Sequence, residues 1–147
     1  MTKDITTDFF SENVYDFKNV DDSGELKFLG KNPVVIDFHA QWCGPCRVLG
    51  PIIDELNEEY DGVDFYKVDT EDEMELAGAF GVRSLPTLLF IPMEGKPVMS
   101  PGAPPKQMLK KMIDEKLLGK EVKKDEKLDD AVSTFNELMD KIKKVLK

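Results

Sequence analysis

Cys43 and Cys46 are the only cysteines among the 147 residues, and Gly44-Pro45 is all that separates them. A bond between them closes too small a loop to restrict the unfolded chain much, so a disulfide-scaffolded fold is excluded. The fold must come from an apolar core instead. With 41% apolar residues, a chain of this length can bury one, as a single domain with a short appendage. The net charge of −9 works against nucleic acid or an anionic membrane as partner, since both are themselves negative. No apolar run approaches the roughly 20 residues of a membrane span. Residues 1–10 lack the apolar stretch of a secretory signal, which leads to a cytoplasmic expectation; a periplasmic location would require a signal segment already removed.

Thr6-Thr7-Asp8 offers helix caps, and Phe9, Phe10, Val14 and Phe17 follow at helical spacing, which predicts a helix over 7–18. Turn clusters fill 19–33 (Asp21 to Gly24, Gly30 to Pro33), with Leu26, Phe28 and Leu29 expected against the core. Residues 33–40 read as a strand buried on both faces, because the apolar run hardly alternates; Asp37 alone interrupts it. A helix then starts inside the cysteine motif. Leu49, Ile52, Ile53, Leu56 and Tyr60 share one of its faces, and Pro51 should kink it. Strands follow over 63–70 and 87–91, with a helix over 71–80 between them that Gly81 stops. A short edge strand over 96–99 and a helix within 104–118 complete this part. The order predicts an α/β fold, a central mixed sheet flanked by helices.

Residues 121–147 differ from the rest. Leu128, Val132, Phe135, Met139, Ile142 and Leu146 recur every three or four residues, the stripe of an amphipathic helix. Acids crowd its start and lysines its end, as the helix dipole prefers. Seven of each sign cancel there, so the whole of the −9 belongs to residues 1–120. These residues form the predicted main domain. The extension at 121–147 is expected to pack on its own chain, to self-associate or meet a partner, or to fray.

A Cys-x-x-Cys pair has three common uses. Zinc wants about four ligands, but there is no second pair and His39 is the only histidine, so no metal is expected. A structural bond closes too small a loop. Redox exchange remains, and the position favours it. Cys43 ends a strand-to-helix turn, where unpaired N–H groups and the dipole favour a thiolate. Cys46, one turn inside the helix, should be the less exposed. One sulfur is thus placed to attack and the other to resolve.

Val35-Ile36-Asp37-Phe38, followed by Ala40-Gln41-Trp42-Cys43-Gly44-Pro45-Cys46-Arg47, closely resembles the thioredoxins. The resemblance continues through Pro51, Asp69, Gly81 to Thr87, and Gly102-Ala103, covering roughly residues 5–118. It departs at Arg47, where lysine is usual, at His39, where an aromatic residue is usual, and at the extension. The resemblance implies the thioredoxin fold and a protein-disulfide reductase that needs no cofactor, acts on disulfide-containing proteins and is recharged by a thioredoxin reductase. Gly44 and Pro45 match the reducing members.

The resemblance further implies that Asp37 is a buried proton acceptor behind Cys46, its pKa raised by burial, rather than a paired structural acid. It also implies a cis bond before Pro86, turning the Leu85 backbone toward the sulfurs, and an apolar docking surface of Trp42, Leu85, Gly102 and Ala103. Lys67 has the strand parity of Val63, Phe65 and Asp69, so its stem is expected to reach toward Asp37. His39 is assigned to packing, with a titrating role as the lesser alternative. Two other functions remain at this point: an oxidant or isomerase of an extracytoplasmic compartment, and a non-enzymatic binding module that uses its C-terminal helix.

Overall fold

A computed structural model describes residues 1–19, 26–120 and 135–142, in two compact units, Met1–Ala103 and Pro104–Lys147. In the first unit, strands β1 (Lys3–Asp4), β2 (Val34–His39), β3 (Asp64–Asp69), β4 (Thr87–Ile91) and β5 (Val98–Pro101) form one sheet in the order β1-β3-β2-β4-β5. β1, β3 and β2 run parallel, whereas β4 and β5 are antiparallel to their neighbours. This is the expected mixed sheet. β2 lies at its centre with Val34 to Phe38 all buried, which is why its sequence does not alternate. β5 falls at Val98–Pro101 rather than 96–99, because Thr87 and Leu88 pair with Pro101 and Ser100.

Even-numbered residues of β2 (Val34, Ile36, Phe38) share a core with Phe10, Val14, Tyr15 and Leu76. This places Val35, Asp37 and His39 on the opposite face. Helix α1 spans only Thr7–Asn13, capped by the Thr6 side chain, which accepts the Phe9 N–H. It stops short of 18 because Tyr15 pairs with Phe28 in an isolated bridge. Phe10 is fully buried, its ring centroid 5.3 Å from Phe80, 6.0 Å from Phe17 and 6.3 Å from Tyr15. Of the three loop residues expected against the core, only Phe28 packs there; Leu26 and Leu29 are exposed. The turn expected at 21–24 lies outside the described residues.

Helix α2 (Gly44–Glu59) keeps Pro51 in its interior and buries Cys46, Leu49, Ile53 and Leu56 along one face. It carries the chain from β2 to β3, the crossover that parallel neighbours require. Helix α3 (Met74–Ala79) is the shorter element between β3 and β4. In the second unit, α4 (Lys106–Met112) runs on into a π-helical turn at Ile113–Leu117, which together occupy the expected 104–118 segment. Residues 135–142 are helical, with Phe135, Met139 and Ile142 half-buried and Leu138 exposed. Leu128, Val132 and Leu146 of the same stripe lie outside the described residues.

Candidate active site

β2 ends at His39, and α2 begins at Gly44, so the chain must turn within four residues. Gln41, Trp42, Gly44 and Pro45 are exposed on that turn. Cys43 is the N-cap of α2: its Sγ accepts the Cys46 N–H at 3.3 Å, and its own N–H donates to Ala40 O at 3.2 Å. Pro45 sits in the first turn, where its missing N–H costs nothing. Cys43 and Cys46 are joined by a disulfide with their Cα atoms 5.3 Å apart, so this is the oxidised form. In it Cys43 is 4% exposed and Cys46 6%, which corrects the expectation that burial separates them. In the disulfide both residues are buried alike. Position on the helix distinguishes them instead, since Cys43 receives the N-terminal N–H donor.

Leu85 packs against Ala40, Cys43 and Cys46. The Leu85–Pro86 bond is cis, and Pro86 O accepts the Gly102 N–H at 2.8 Å. Gly102 has φ +104°, a conformation glycine adopts without strain. The contact ties the Gly102-Ala103 segment, with Ala103 exposed, to the loop beside the disulfide. Trp42 is 68% exposed, its indole N–H donating to Glu71 Oε1 at 2.7 Å. Arg47, the departure from the usual lysine, donates through Nε and Nη2 to Gln41 O at 3.3 and 2.9 Å, so its charge also pins the motif's own turn.

On the face of β2 opposite Ile36 and Phe38, Asp37 is 1% exposed and its Oδ1 has no hydrogen-bond partner among the described residues. Burial pushes its pKa from 3.8 up to about 6, against the opposing pull of His39 and Lys67. Lys67 stands opposite Asp37 across the β2–β3 ladder, as its parity predicts. Its ion pair, however, is with Asp54 of α2, Nζ to Oδ1 at 3.6 Å. The expected pairing with Asp37 is therefore replaced by a through-space attraction. Burial raises the Asp54 pKa, but hydrogen bonds from the Thr2 backbone and side chain, with Lys67 beside it, outweigh that and lower it overall. His39 is half-buried and more than a packing residue, with Nε2 2.7 Å from Asp4 Oδ1.

His39, Asp54 and Lys67 border a cavity of about 390 Å³, lined also by Cys46 and Gly50. Gly50 leaves room for the lysine: a Cβ there would stand 3.4 Å from Lys67 Nζ. Among the described residues, no group of three or more His, Cys, Asp or Glu is arranged to hold a metal ion. Sequence reasoning missed Asp54, Asp4 and Glu71. Asp54 had a signal, because Cys46, Gly50 and Asp54 recur every four residues on one stripe of α2. Asp4 had none, since the two residues of β1 are too few to show a period.

A protein-family model described as Thioredoxin matches residues 18–115. A thioredoxin of Borreliella burgdorferi is 48% identical over 103 residues, which cover 69% of this chain and 86% of that one. A chloroplastic M-type thioredoxin of Pisum sativum is 40% identical over 107 residues, covering 71% of this chain but only 62% of its relative. Among solved structures, a chloroplastic thioredoxin z superposes with a TM-score of 0.64 at 20% identity, over 78% of this chain and 92% of the other, and so speaks to the fold alone.

Proposed function

The chain belongs to the thioredoxin family, and we propose that it works there as a protein-disulfide reductase in which Cys43 attacks and Cys46 resolves. Thiol–disulfide exchange is the chemistry of the family and of the Cys43–Cys46 pair. The observation that carries the assignment of roles is the α2 cap, where Cys43 Sγ takes the N–H at the positive end of the helix. In the reduced protein that position favours the thiolate at Cys43.

Cys43 thiolate attacks one sulfur of a substrate disulfide; a mixed disulfide forms, and the other substrate sulfur leaves as a thiolate that takes up a proton. Cys46 then loses its proton to Asp37, whose pKa near 6 leaves it mostly ionised at neutral pH yet basic enough to accept. The Cys46 thiolate attacks Cys43 Sγ and expels the second substrate thiolate. Two electrons have passed to the substrate, and the chain is left with its Cys43–Cys46 bond. A thioredoxin reductase is the donor that would restore the dithiol.

Trp42, Gly44, Pro45, Leu85, Gly102 and Ala103 form the docking surface in this reading. The exposure of Trp42, Gly44, Pro45 and Ala103, the packing of half-buried Leu85 against both cysteines and the Pro86–Gly102 hydrogen bond support it. We assign residues 1–120 to the redox domain and 121–147 to a helical extension, in keeping with the family match at 18–115. The bacterial and chloroplastic relatives fit a reducing compartment, the cytoplasm in a bacterium. Cys46→Ser is expected to accumulate stable mixed disulfides with substrate proteins, whereas Cys43→Ser accumulates none. The reverse pattern would exchange the two roles.

A further inference from the structure

His39 lies two residues beyond Asp37 on β2, so the pleat turns both side chains to the face where Lys67 meets Asp54 of α2. The ring is held at a defined place. Nε2 is 2.7 Å from Asp4 Oδ1, and the ring borders the cavity that also reaches Cys46, Asp54 and Lys67. Histidine is the side chain that ordinarily changes charge near neutrality. Of the charges that act on the Asp37 carboxyl, His39 is the strongest that favours ionisation, ahead of Lys67, while Asp4 and Asp54 oppose it.

We propose that His39, held at the cavity by Asp4, is a positioning residue for the resolving step, and that its charge sets how readily Asp37 takes the Cys46 proton. This rests on the reading of Asp37 as the proton acceptor. An imidazolium at 39 keeps Asp37 ionised to lower pH; a neutral ring releases the carboxyl to hold a proton. Asp4 acts twice, repelling charge on Asp37 directly and holding the ring in place through the 2.7 Å contact. The other ionisable groups around His39 are Lys67 and Asp69 on β3, and Cys46, Arg47 and Asp54 on α2; β4 contributes none. Asp69 is engaged elsewhere, its Oδ1 accepting the Glu71 N–H at 2.9 Å.

The test is an NMR titration of the oxidised full-length protein from acid to mildly alkaline pH, following the Asp37 carboxyl carbon and the His39 ring. In the unaltered protein each signal should carry the inflection of the other. In His39→Gln, the Asp37 midpoint should rise by roughly 0.4 to 1.7 pH units, the effect of one charge roughly 7 Å away between full water screening and an effective dielectric of about 20. Asp4→Asn removes a charge that opposes ionisation of Asp37, so it should lower that midpoint. In the His39→Gln background only repulsion remains, so Asp4→Asn should lower it there too. Independent single inflections in the unaltered protein, with an Asp37 midpoint unmoved in both His39→Gln and His39→Phe, overturn the inference alone. Thiols are absent from the oxidised protein, so that outcome leaves the acceptor reading untouched. Coupling accompanied by an Asp37→Asn pH–rate profile equal to the unaltered protein's overturns the acceptor reading, and the inference with it.

Discussion

Replacing Asp37 by Asn should stabilise the oxidised protein, and only above a definite pH. The carboxyl is 1% exposed, so its charge is held in a medium that solvates it poorly and no solvent screening discounts the effect. Its pKa stands at about 6, against 3.8 for an ordinary aspartate. Between those values the folded chain binds more protons at this site than the unfolded chain does. Stability linked to Asp37 is therefore complete below pH 3.8 and is lost as pH rises to about 6. The interval corresponds to about 3 kcal/mol, at 1.36 kcal/mol per pH unit. An asparagine amide keeps the shape of the protonated carboxyl and cannot ionise. Guanidinium unfolding of the two oxidised proteins from pH 4 to 8 isolates the effect, because other carboxylates cancel in the difference. That difference should be near zero at the acid end and grow to about 3 kcal/mol in favour of Asp37→Asn by pH 7. A flat difference, or one that shrinks as pH rises, would refute the claim that burial governs this carboxyl.

Trp42→Ala should cost little stability, since the side chain is 68% exposed and its bond to Glu71 is worth about 1 kcal/mol at most. It should nevertheless slow insulin reduction more than reduction of a small disulfide, which would not need the proposed docking surface. Phe10→Ala should destabilise by about 3 to 5 kcal/mol in urea, because it empties a fully buried site ringed by Tyr15, Phe17 and Phe80. Gly50→Ala should stabilise by about 0.5 to 1 kcal/mol, removing a glycine from a helix interior while its Cβ meets only the mobile tip of Lys67 at 3.4 Å. A loss of stability there would mean that the Lys67–Asp54 pair cannot give way.

The readable parts of the chain were those with strong local pattern. β2 and β4 announce themselves by unbroken apolar runs, and α2 by a face that repeats through Leu49, Ile53 and Leu56. Phe17 continues the helical spacing and so carries the expected α1 past its end at Asn13, and no local rule shows that Tyr15 will pair with Phe28 instead. At the site, strand parity put Lys67 on the same side as Asp37 but not its ammonium, which follows a long side chain toward whatever carboxylate the helix brings near. That carboxylate, Asp54, comes from another element. For the cysteines, position on the helix suggests unequal exposure, whereas in the disulfide both are buried alike.

The placement of Asp37, His39 and Lys67 follows from a period of two meeting a period of about four. Along β2 the pleat sends Val34, Ile36 and Phe38 into the core with Phe10, which leaves Asp37 and His39 no choice but the opposite face. Along α2, residues 46, 50 and 54 recur on one stripe, a cysteine, a glycine and an aspartate. Where the two meet, Cys46 and Asp54 border the same cavity as His39, and the glycine between them admits Lys67. Moving Asp37 by one residue would turn it into the core shared with Phe10; moving it two residues on would put it at the half-buried end of the strand, and two residues back would bury it at the place of Val35 but opposite Phe65 instead of Lys67. The position is thus fixed by the requirement to be buried enough to hold a proton near neutrality, while remaining within the field of His39 and Lys67 that lets it ionise.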